Sequence, residues 1–314
     1  MMRKSKAAFL ISLLLAVVLC SGCGAKPAAS QDVREAAVFT DALGEEISVG
    51  NPQSVVALMG SFAETWLLAG GELTGVTDDA FEERGLTLPA SVPSVGKYNS
   101  PNVEAIIALN PDLVLLSAQT QAHVALQAVL KNAGIPAAYF SVTDFDDYLQ
   151  MLEICTQITG QETLYRENGL EVEKQIVQIV SQAQGQKHPS VLLLITYSGG
   201  GVAMDSKSMT GKMLSDLGCE NLADQNPSLL KEFSVESILI SDPDFIFVVP
   251  MGNDDELAKK NLREVIESNP AWSGLSAVKN GRYILLPKEQ FLYKPNAKWG
   301  ESYAYLSRVL YDGQ

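Results

Sequence analysis

Apolar and polar positions alternate along the first half of the chain in a way that predicts strands separated by helices. The segment Phe39 to Val49 alternates around Gly44, which predicts a short hairpin. The predicted strands that follow are Val55 to Leu58, Leu73 to Val76, Leu113 to Leu116 and Ala137 to Phe140. The predicted helices are Phe62 to Ala69, Asn102 to Leu109 and Gln121 to Asn132. Strands joined by helices of this length favour a parallel sheet, so residues 37–160 are predicted to form an α/β lobe.

The pattern changes at Phe145, from which point it is helical almost without a break to Gln184. Gly160 interrupts it, and the second part, Glu162 to Gln184, carries an apolar stripe at helical spacing. At 1.5 Å per residue such a helix is about 34 Å long, enough to bridge two lobes. Residues 161–186 are therefore predicted to be a connecting helix.

A second alternation begins at Val191 and predicts a C-terminal α/β lobe over residues 187–314. Its predicted strands are Val191 to Ile195, Phe245 to Val249 and Tyr283 to Leu286, and its predicted helices are Gly211 to Leu217, Val235 to Ile240, Glu256 to Ser268 and Ala297 to Tyr311. The fold class expected is thus two α/β lobes with parallel sheets joined by one helix.

The two halves also share a short internal repeat. The repeat consists of VEAIIALNPDLVLL, from Val103, and VESILISDPDFIFV, from Val235. The two segments are identical at five positions, occupied by Val, Glu, Ile, Pro and Asp, with a constant offset of 132 residues. In each copy a polar cap, Asn102 or Ser234, precedes the helix, and Pro111 or Pro243 follows it before a buried strand. The repeat indicates related lobes, although a single short match also arises by chance.

The N-terminus predicts export. Residues 1–6 are basic and Ala7 to Leu19 is almost wholly apolar, too short for a comfortable membrane span but typical of a signal peptide, here residues 1–22. The sequence CSGCG from Cys20 resembles a bacterial lipobox with Cys23 as the lipidated residue, although Cys20 stands where leucine is usual. Residues 23–36 would then be a tether. The alternatives are a plain cleaved signal and an uncleaved anchor.

Composition narrows the class of protein further. The 314 residues carry 23 Lys and Arg against 37 Asp and Glu, and three of the basic residues lie in the leader, so a nucleic-acid binder is not expected. Cys155 and Cys219 lie in apolar helical patterns. An exported protein could pair them, but two small buried side chains is the favoured interpretation.

Several segments together resemble a known family. They are VVALMGSFAETWLLAGG, VPSVGKYNSPNVEAIIALNPDLVLLS, HPSVLLLITYSGGGVAMDSKSMTGKMLSDLGCENL, FSVESILISDPDFIFVV and AWSGLSAVKNGRYILLP. From about Val38 to its end the chain is similar to the substrate-binding proteins of ABC importers for iron complexes and vitamin B12. The resemblance implies two lobes joined by one long helix, a monomeric receptor without catalytic residues or cofactor, and a membrane permease with a separate ATPase as partner.

The resemblance also implies docking residues. In that family one glutamate on each lobe pairs with arginines of the permease, and the matching residues here are Glu104 and Glu236. An acidic residue in a first helical turn also complements the helix dipole. The equivalent positions of the two glutamates in the repeat favour docking.

A ligand is expected between the lobes, against loops at strand ends. The candidate ligand-binding residues are Met59, Gly60, Ser61, Phe62, Lys97, Tyr98, Asn99, Tyr197, Ser198, Met251, Trp272, Tyr293 and Lys294. Aromatic rings suit a macrocycle or a catecholate, and lysine suits its acidic groups. Phe62 and Trp272 could equally be core residues.

Metal chemistry points to a chelated cargo. The chain has only two histidines, His123 and His188, both expected at the surface, so a bare transition-metal site is not predicted. Iron enclosed in an organic chelator needs no protein ligand. Haem is compatible with Tyr98 and Met251 but is not required by them.

Enzyme motifs were sought without success. SMTGKM has Met213 where a phosphate-binding loop needs Ser or Thr, and no nucleophile elbow or zinc-protease helix is present. The sequence therefore predicts a lipid-anchored extracytoplasmic receptor for a siderophore or haem, with small closure movements. The alternatives are a receptor for cobalamin or another corrinoid and, more remotely, an exported α/β enzyme.

Overall fold

The computed structural model describes residues 35–197, 200–230, 235–251, 260 and 269–312. The leader, Cys23 and most of the tether lie outside these residues, as do Ser198, Ser234 and all of the predicted helix Glu256 to Ser268 except Lys260. None of the described helices has the length and apolar character needed to cross a bilayer.

The first lobe is built on a four-stranded parallel sheet. The strands of the whole lobe are β1 (Ala37–Thr40), β2 (Glu46–Val49), β3 (Val55–Ala57), β4 (Gly75–Val76), β5 (Gly96–Lys97), β6 (Ser100–Pro101), β7 (Leu113–Ser117) and β8 (Ala137–Phe140). The sheet has the order β4-β3-β7-β8, while β1 with β2 and β5 with β6 form antiparallel hairpins. The hairpin predicted around Gly44 is observed, whereas the β5–β6 hairpin was not predicted.

Helices fill the connections of this sheet. They are α1 (Gly60–Leu68), α2 (Asp79–Glu82), α3 (Val103–Ala108), α4 (Gln121–Val124), α5 (Gln127–Asn132) and α6 (Phe145–Thr159). The single helix predicted over Gln121 to Asn132 is wrong in detail, since it is two short helices. Asp144 caps α6 by accepting a hydrogen bond from Asp147 N, and Gly160 ends it in a left-handed conformation, φ 69°.

The segment between the lobes is helical but not uniformly α-helical. It runs through α7 (Glu162–Tyr165), a π-helical turn (Arg166–Leu170) and α8 (Glu171–Ala183). The π-turn lies where the segment crosses α6, since a Cβ on Gly169 would lie only 2.7 Å from Leu149 Cδ1. Tyr148 Oη donates to Asn168 O at 2.9 Å, which satisfies a carbonyl of that turn.

The second lobe contains a mixed five-stranded sheet. Its strands are β9 (Ser190–Tyr197), β10 (Gly200–Met204), β11 (Glu220–Asn221), β12 (Phe245–Pro250) and β13 (Tyr283–Leu285). The order is β10-β9-β12-β13, β11 also pairs with β9, and only β10 among these described strands runs antiparallel. The helices are α9 (Met209–Asp216), α10 (Leu222–Gln225), α11 (Val235–Ser241), α12 (Ser276–Lys279), α13 (Lys288–Phe291) and α14 (Trp299–Ser307).

Each sheet contributes one face to a core that runs through both lobes. Val55 and Leu115 of the first sheet belong to the same buried cluster as Leu193 and Phe247 of the second, together with Trp299 of α14. Alternate residues of each sheet point to a separate cluster on its other face. The described residues of both lobes therefore form one compact unit, and the predicted fold class is confirmed.

The internal repeat has a structural counterpart in the backbone. Asn110 and Asp242, 132 residues apart, both have left-handed conformations, with φ 44° and 39°. Each lies between a helix and the proline that precedes a buried strand. Asn and Asp tolerate this conformation better than other residues with a Cβ, and the residue before proline is disfavoured in the helical region.

The two lobes also share an equivalent hydrogen bond between an aspartate side chain and a serine backbone N–H. Asp112 Oδ2 accepts from Ser54 N at 2.9 Å, and Asp244 Oδ2 accepts from Ser190 N at 2.9 Å. In each lobe the aspartate directly precedes a strand, β7 or β12, and the serine lies at the start of the neighbouring strand, β3 or β9. The agreement of backbone and side-chain detail indicates that the sequence match reflects two related lobes.

Candidate ligand-binding site

A cavity of about 370 Å³ lies between the lobes, and we call it the cleft cavity. The first lobe supplies residues from the loops after β3, β4 and β5, which follow strand ends where parallel sheets usually bind ligands. The second lobe supplies residues that follow β12 and α13. The residues lining the cavity are Met59, Ser61, Asp79, Glu83, Arg84, Tyr98, Met251, Leu292, Tyr293 and Lys294.

The cleft cavity brings together six of the residues proposed from sequence, namely Met59, Ser61, Tyr98, Met251, Tyr293 and Lys294. They come from segments more than 230 residues apart in the chain, as the 4.0 Å contact between Lys294 Nζ and Met59 Sδ shows. Their contact with a ligand remains a prediction.

The other proposed residues lie beside the cavity or away from it. Gly60 begins α1 and donates its N–H to Asp79 Oδ2 at 2.7 Å; a Cβ there would lie 2.8 Å from Ala80 N. Lys97 and Asn99 are exposed neighbours of Tyr98 on the β5–β6 hairpin. Tyr197, at the end of β9, is also exposed.

Phe62 and Trp272 are core residues, so the structure does not support their assignment to the ligand site. Phe62 is buried against Phe140 with the rings edge to face and their centroids 6.2 Å apart. Trp272 packs on Tyr283 in a cluster behind the second sheet. Both rings lie in the core because burial of a large aromatic surface stabilises the fold.

Sequence reasoning missed the acidic and basic residues of α2 and its end. Arg84 forms an ion pair with Glu64 and donates from Nη1 to Lys294 O at 2.8 Å, so it joins the two lobes at the cavity wall. Burial lowers the pKa of Arg84 to about 10. The signal that was available is the charged run TDDAFEERG directly after β4.

Lys294 is the second cation of the cavity wall. Burial, and then the positive charge of Arg84, lower the pKa of its ammonium, while Asp79 acts in the opposite direction. Lys294 and Arg84 are held close together in a partly dehydrated wall; Arg84 pairs with Glu64, whereas none of the ion pairs among the described residues includes Lys294. An anionic group is the ligand chemistry that would stabilise them.

Two acidic residues, Asp79 and Glu83, lie on the same wall. Burial, followed by the negative charges of Asp79 and Glu82, raises the pKa of Glu83. Glu83 therefore takes up a proton more readily than an ordinary glutamate. The cavity thus has both cationic and acidic groups on its wall.

Asn296 forms a further bridge between the lobes. It is buried and left-handed, φ 53°, and its Nδ2 donates to Ser61 O at 2.9 Å and to Glu64 Oε2 at 2.7 Å. Glu64 accepts from Arg84 as well, so one carboxylate receives hydrogen bonds from both sides of the junction. This network fixes the segment that carries Tyr293 and Lys294 against α1.

His123 holds the loop that presents Tyr98, and the expectation that it lies on the surface is wrong. The ring is fully buried; Nδ1 accepts from Ser117 N at 3.0 Å and the opposite nitrogen, Nε2, lies 2.7 Å from Tyr98 O. A neutral ring protonated on Nε2 satisfies both contacts. Burial lowers the pKa of His123, which favours that neutral form. His188 is exposed.

Reactive or metal-binding clusters are not part of the described site. No group of three or more His, Cys, Asp or Glu side chains suited to a metal ion occurs among the residues the structure describes. Cys155 and Cys219 are free and buried, and burial raises the pKa of each thiol to about 12. Neither thiol is therefore ionised or readily oxidised at neutral pH.

Glu104 and Glu236 are exposed at corresponding positions of the two lobes. Each lies in the first turn of its helix, α3 or α11. An exposed isoleucine follows one turn later on the same helix face, Ile107 at 41% and Ile240 at 81% exposure.

Two α/β lobes with a mixed charged and apolar cavity between them define a binding protein of the two-lobed type. The chain belongs to the periplasmic binding protein family, whose sequence model (Peripla_BP_2) matches residues 55–290.

Known proteins of similar sequence and structure support this assignment. The Fe(3+)-citrate-binding protein YfmC of Bacillus subtilis (strain 168) is 25% identical over 277 residues, covering 86% of this chain and 85% of that protein. The putative ABC transporter substrate-binding lipoprotein YhfQ of the same organism is 25% identical over 291 residues, covering 88% of each. The structure of S. aureus IsdE complexed with heme has a TM-score of 0.67 at 20% identity, covering 82% of this chain and 98% of that one.

Proposed function

We propose that the protein is an extracytoplasmic substrate-binding protein of an ABC importer that captures an anionic iron chelate in the cleft cavity. Family membership and the similarity to YfmC and YhfQ support the transport role. The observation that carries the choice of ligand is the pair Arg84 and Lys294 on the wall between the lobes.

The chemistry of the wall favours a carboxylate or catecholate complex. Such ligands place negative oxygens at their surface, which suits the two cations, and aromatic groups stack on the ring of Tyr98. The iron would arrive already coordinated, so that no protein metal ligands are needed. Haem also presents carboxylates, whereas a corrinoid presents mostly neutral amides and would leave Lys294 without an anionic partner.

Delivery to the membrane is assigned to a surface formed by Glu104 with Ile107 and Glu236 with Ile240, which we call the docking surface. Because the two glutamates occupy equivalent positions of the two related lobes, the docking surface suits a permease with a two-fold or pseudo-two-fold arrangement of basic residues. Ile240 is 81% exposed and adds apolar surface that docking would bury.

Export and anchoring complete the proposal. The basic and apolar leader would direct the chain across the membrane, and lipidation of Cys23 would retain it there on the tether 23–36. Mass spectrometry of the mature protein would show the loss of residues 1–22 and the added lipid. An unmodified Cys23 would contradict the anchor.

Ligand titration tests the central claim. Quenching of intrinsic fluorescence is measured with ferric citrate, a ferric catecholate siderophore, haemin and cyanocobalamin, and absorption spectra are recorded of any ligand that co-purifies from the native host. An anionic iron complex is expected to bind most tightly, with weaker binding after Arg84→Met. Preferential binding of cyanocobalamin would instead establish the corrinoid alternative.

A further inference from the structure

A second cavity of about 250 Å³ adjoins the cleft cavity, and we call it the apolar chamber. Leu292 and Lys294 line both cavities, so these two side chains form a common wall. The first lobe contributes Val142 and Thr143, and the remaining lining comes from the second lobe. The apolar chamber is therefore also formed where the lobes meet.

Apolar side chains make up most of the surface of this chamber. Ile195 of β9 and Val249 of β12 are paired across neighbouring strands and both line it. Met204 of β10 and Met209 of α9 add unbranched thioether side chains, which adapt to ligands of irregular shape. The cationic residues that line the chamber are Lys294, which it shares with the cleft cavity, and Lys207, which is exposed.

The hydroxyl groups of the apolar chamber already have protein partners. Thr210 Oγ1 donates to Phe291 O at 2.7 Å, Ser208 Oγ donates to Asp205 O at 2.7 Å, and Thr143 Oγ1 bonds to Asp147. A polar ligand group would gain little here, because it would lose its hydration without finding a free partner. The chamber is thus suited to a hydrocarbon group.

We infer that the transported chelate has two parts: an anionic iron-binding head in the cleft cavity and an alkyl or aryl arm in the apolar chamber. The inference rests on the proposed function and specifies its substrate class. Lys294 then lies at the junction of the two parts, where its ammonium contacts the head and its aliphatic stem borders the arm.

A matched pair of ligands tests this division. Dissociation constants are measured for the ferric complex of 2,3-dihydroxybenzoate and for that of its 4-hexyl homologue, which have the same charge and iron-binding groups. The hexyl complex is expected to bind at least tenfold more tightly. Met209→Trp, which fills the apolar chamber, and Met204→Gln, which makes its wall polar without filling it, should each reduce that advantage below threefold.

The control variant is Val177→Trp, on the exposed face of α8, which should leave both constants unchanged. Equal affinity for the two complexes, or an equal loss of both in Met209→Trp and Met204→Gln, would overturn the two-part ligand while leaving the receptor function intact. Failure of the wild-type protein to bind either complex while it binds ferric citrate or haemin would also overturn the two-part ligand, and failure to bind any of these iron complexes would overturn the proposed function.

Discussion

Replacing Lys294 with methionine is expected to weaken ligand binding without weakening the fold. The ammonium of Lys294 has the sulfur of Met59 at 4.0 Å as its recorded side-chain contact, whereas the backbone carbonyl of Lys294, which methionine retains, accepts from Arg84. The variant therefore removes a partly buried charge but keeps the bridge between the lobes.

The expected loss of affinity follows from the type of contact removed. A hydrogen bond to a charged group contributes about 1.5–3 kcal/mol, and about 1.4 kcal/mol corresponds to a factor of ten. The dissociation constant for an anionic iron chelate should increase about 10- to 150-fold. The melting temperature of the ligand-free variant should be equal or higher, because burial disfavours the charged lysine.

The pH dependence gives a second measure of the same residue. Because the pKa of Lys294 is lowered in the empty protein, affinity for an anion should fall as the pH rises through that lowered pKa and the ammonium loses its proton. An anionic ligand favours the protonated form, so binding at alkaline pH should take up a proton. The Lys294→Met variant should show both effects only to the smaller extent that Arg84, whose pKa is about 10, contributes.

Isothermal titration calorimetry in buffers of different ionisation enthalpy measures the affinity and the proton uptake together. Lys298→Met, an exposed lysine four residues further along, is the matched control and should bind like the wild type. An unchanged dissociation constant in Lys294→Met, or an equal loss in Lys298→Met, would refute the electrostatic argument for the cleft cavity.

Three other predictions concern the lobes, the loops and the docking surface. Asn296→Ala should lower the unfolding free energy by about 1–3 kcal/mol, because Ser61 O and Glu64 lose a buried partner; denaturant melts with unchanged slope but lower midpoint would show it, and an unchanged midpoint would contradict it. His123→Gln should abolish a decline in stability below about pH 6.5, where the unfolded chain takes up a proton that the buried ring refuses; a variant with the wild-type pH profile would count against the assignment. Glu104→Lys combined with Glu236→Lys should stop cellular uptake of radioactive iron with ligand affinity unchanged, and continued uptake would remove these residues from the docking surface.

The sequence was sufficient for the elements in which periodicity and end signals agree. β7 and β12 are continuous apolar runs that each follow a proline, Pro111 or Pro243, so both were predicted to within a residue or two. It was insufficient for β10, where three successive glycines obscure the strand pattern although the chain pairs with β9 along its length. The π-turn at Gly169 likewise depends on a tertiary contact that local sequence does not encode.

The candidate site was predictable only where strand ends identify loops. Met59 and Met251 each follow a predicted strand and could be proposed on that basis, and Tyr98 could be proposed because it lies in the loop before the helix of Glu104. Arg84 could not, because its position depends on Glu64 and on the carbonyl of Lys294, 210 residues away. His123 could not either, since an imidazole on a short helix gives no sign of being buried between two backbone groups.

The hydrogen bonds across the junction have a consequence for unloading. Moving the lobes apart requires Arg84 to leave the carbonyl of Lys294 and Asn296 to leave Ser61 and Glu64, all of them beside the cleft cavity. In the free receptor these bonds would keep the cargo enclosed and its escape slow. A transporter that grips both lobes at once could strain them together, so that discharge becomes fast only at the membrane where the cargo is to be handed over.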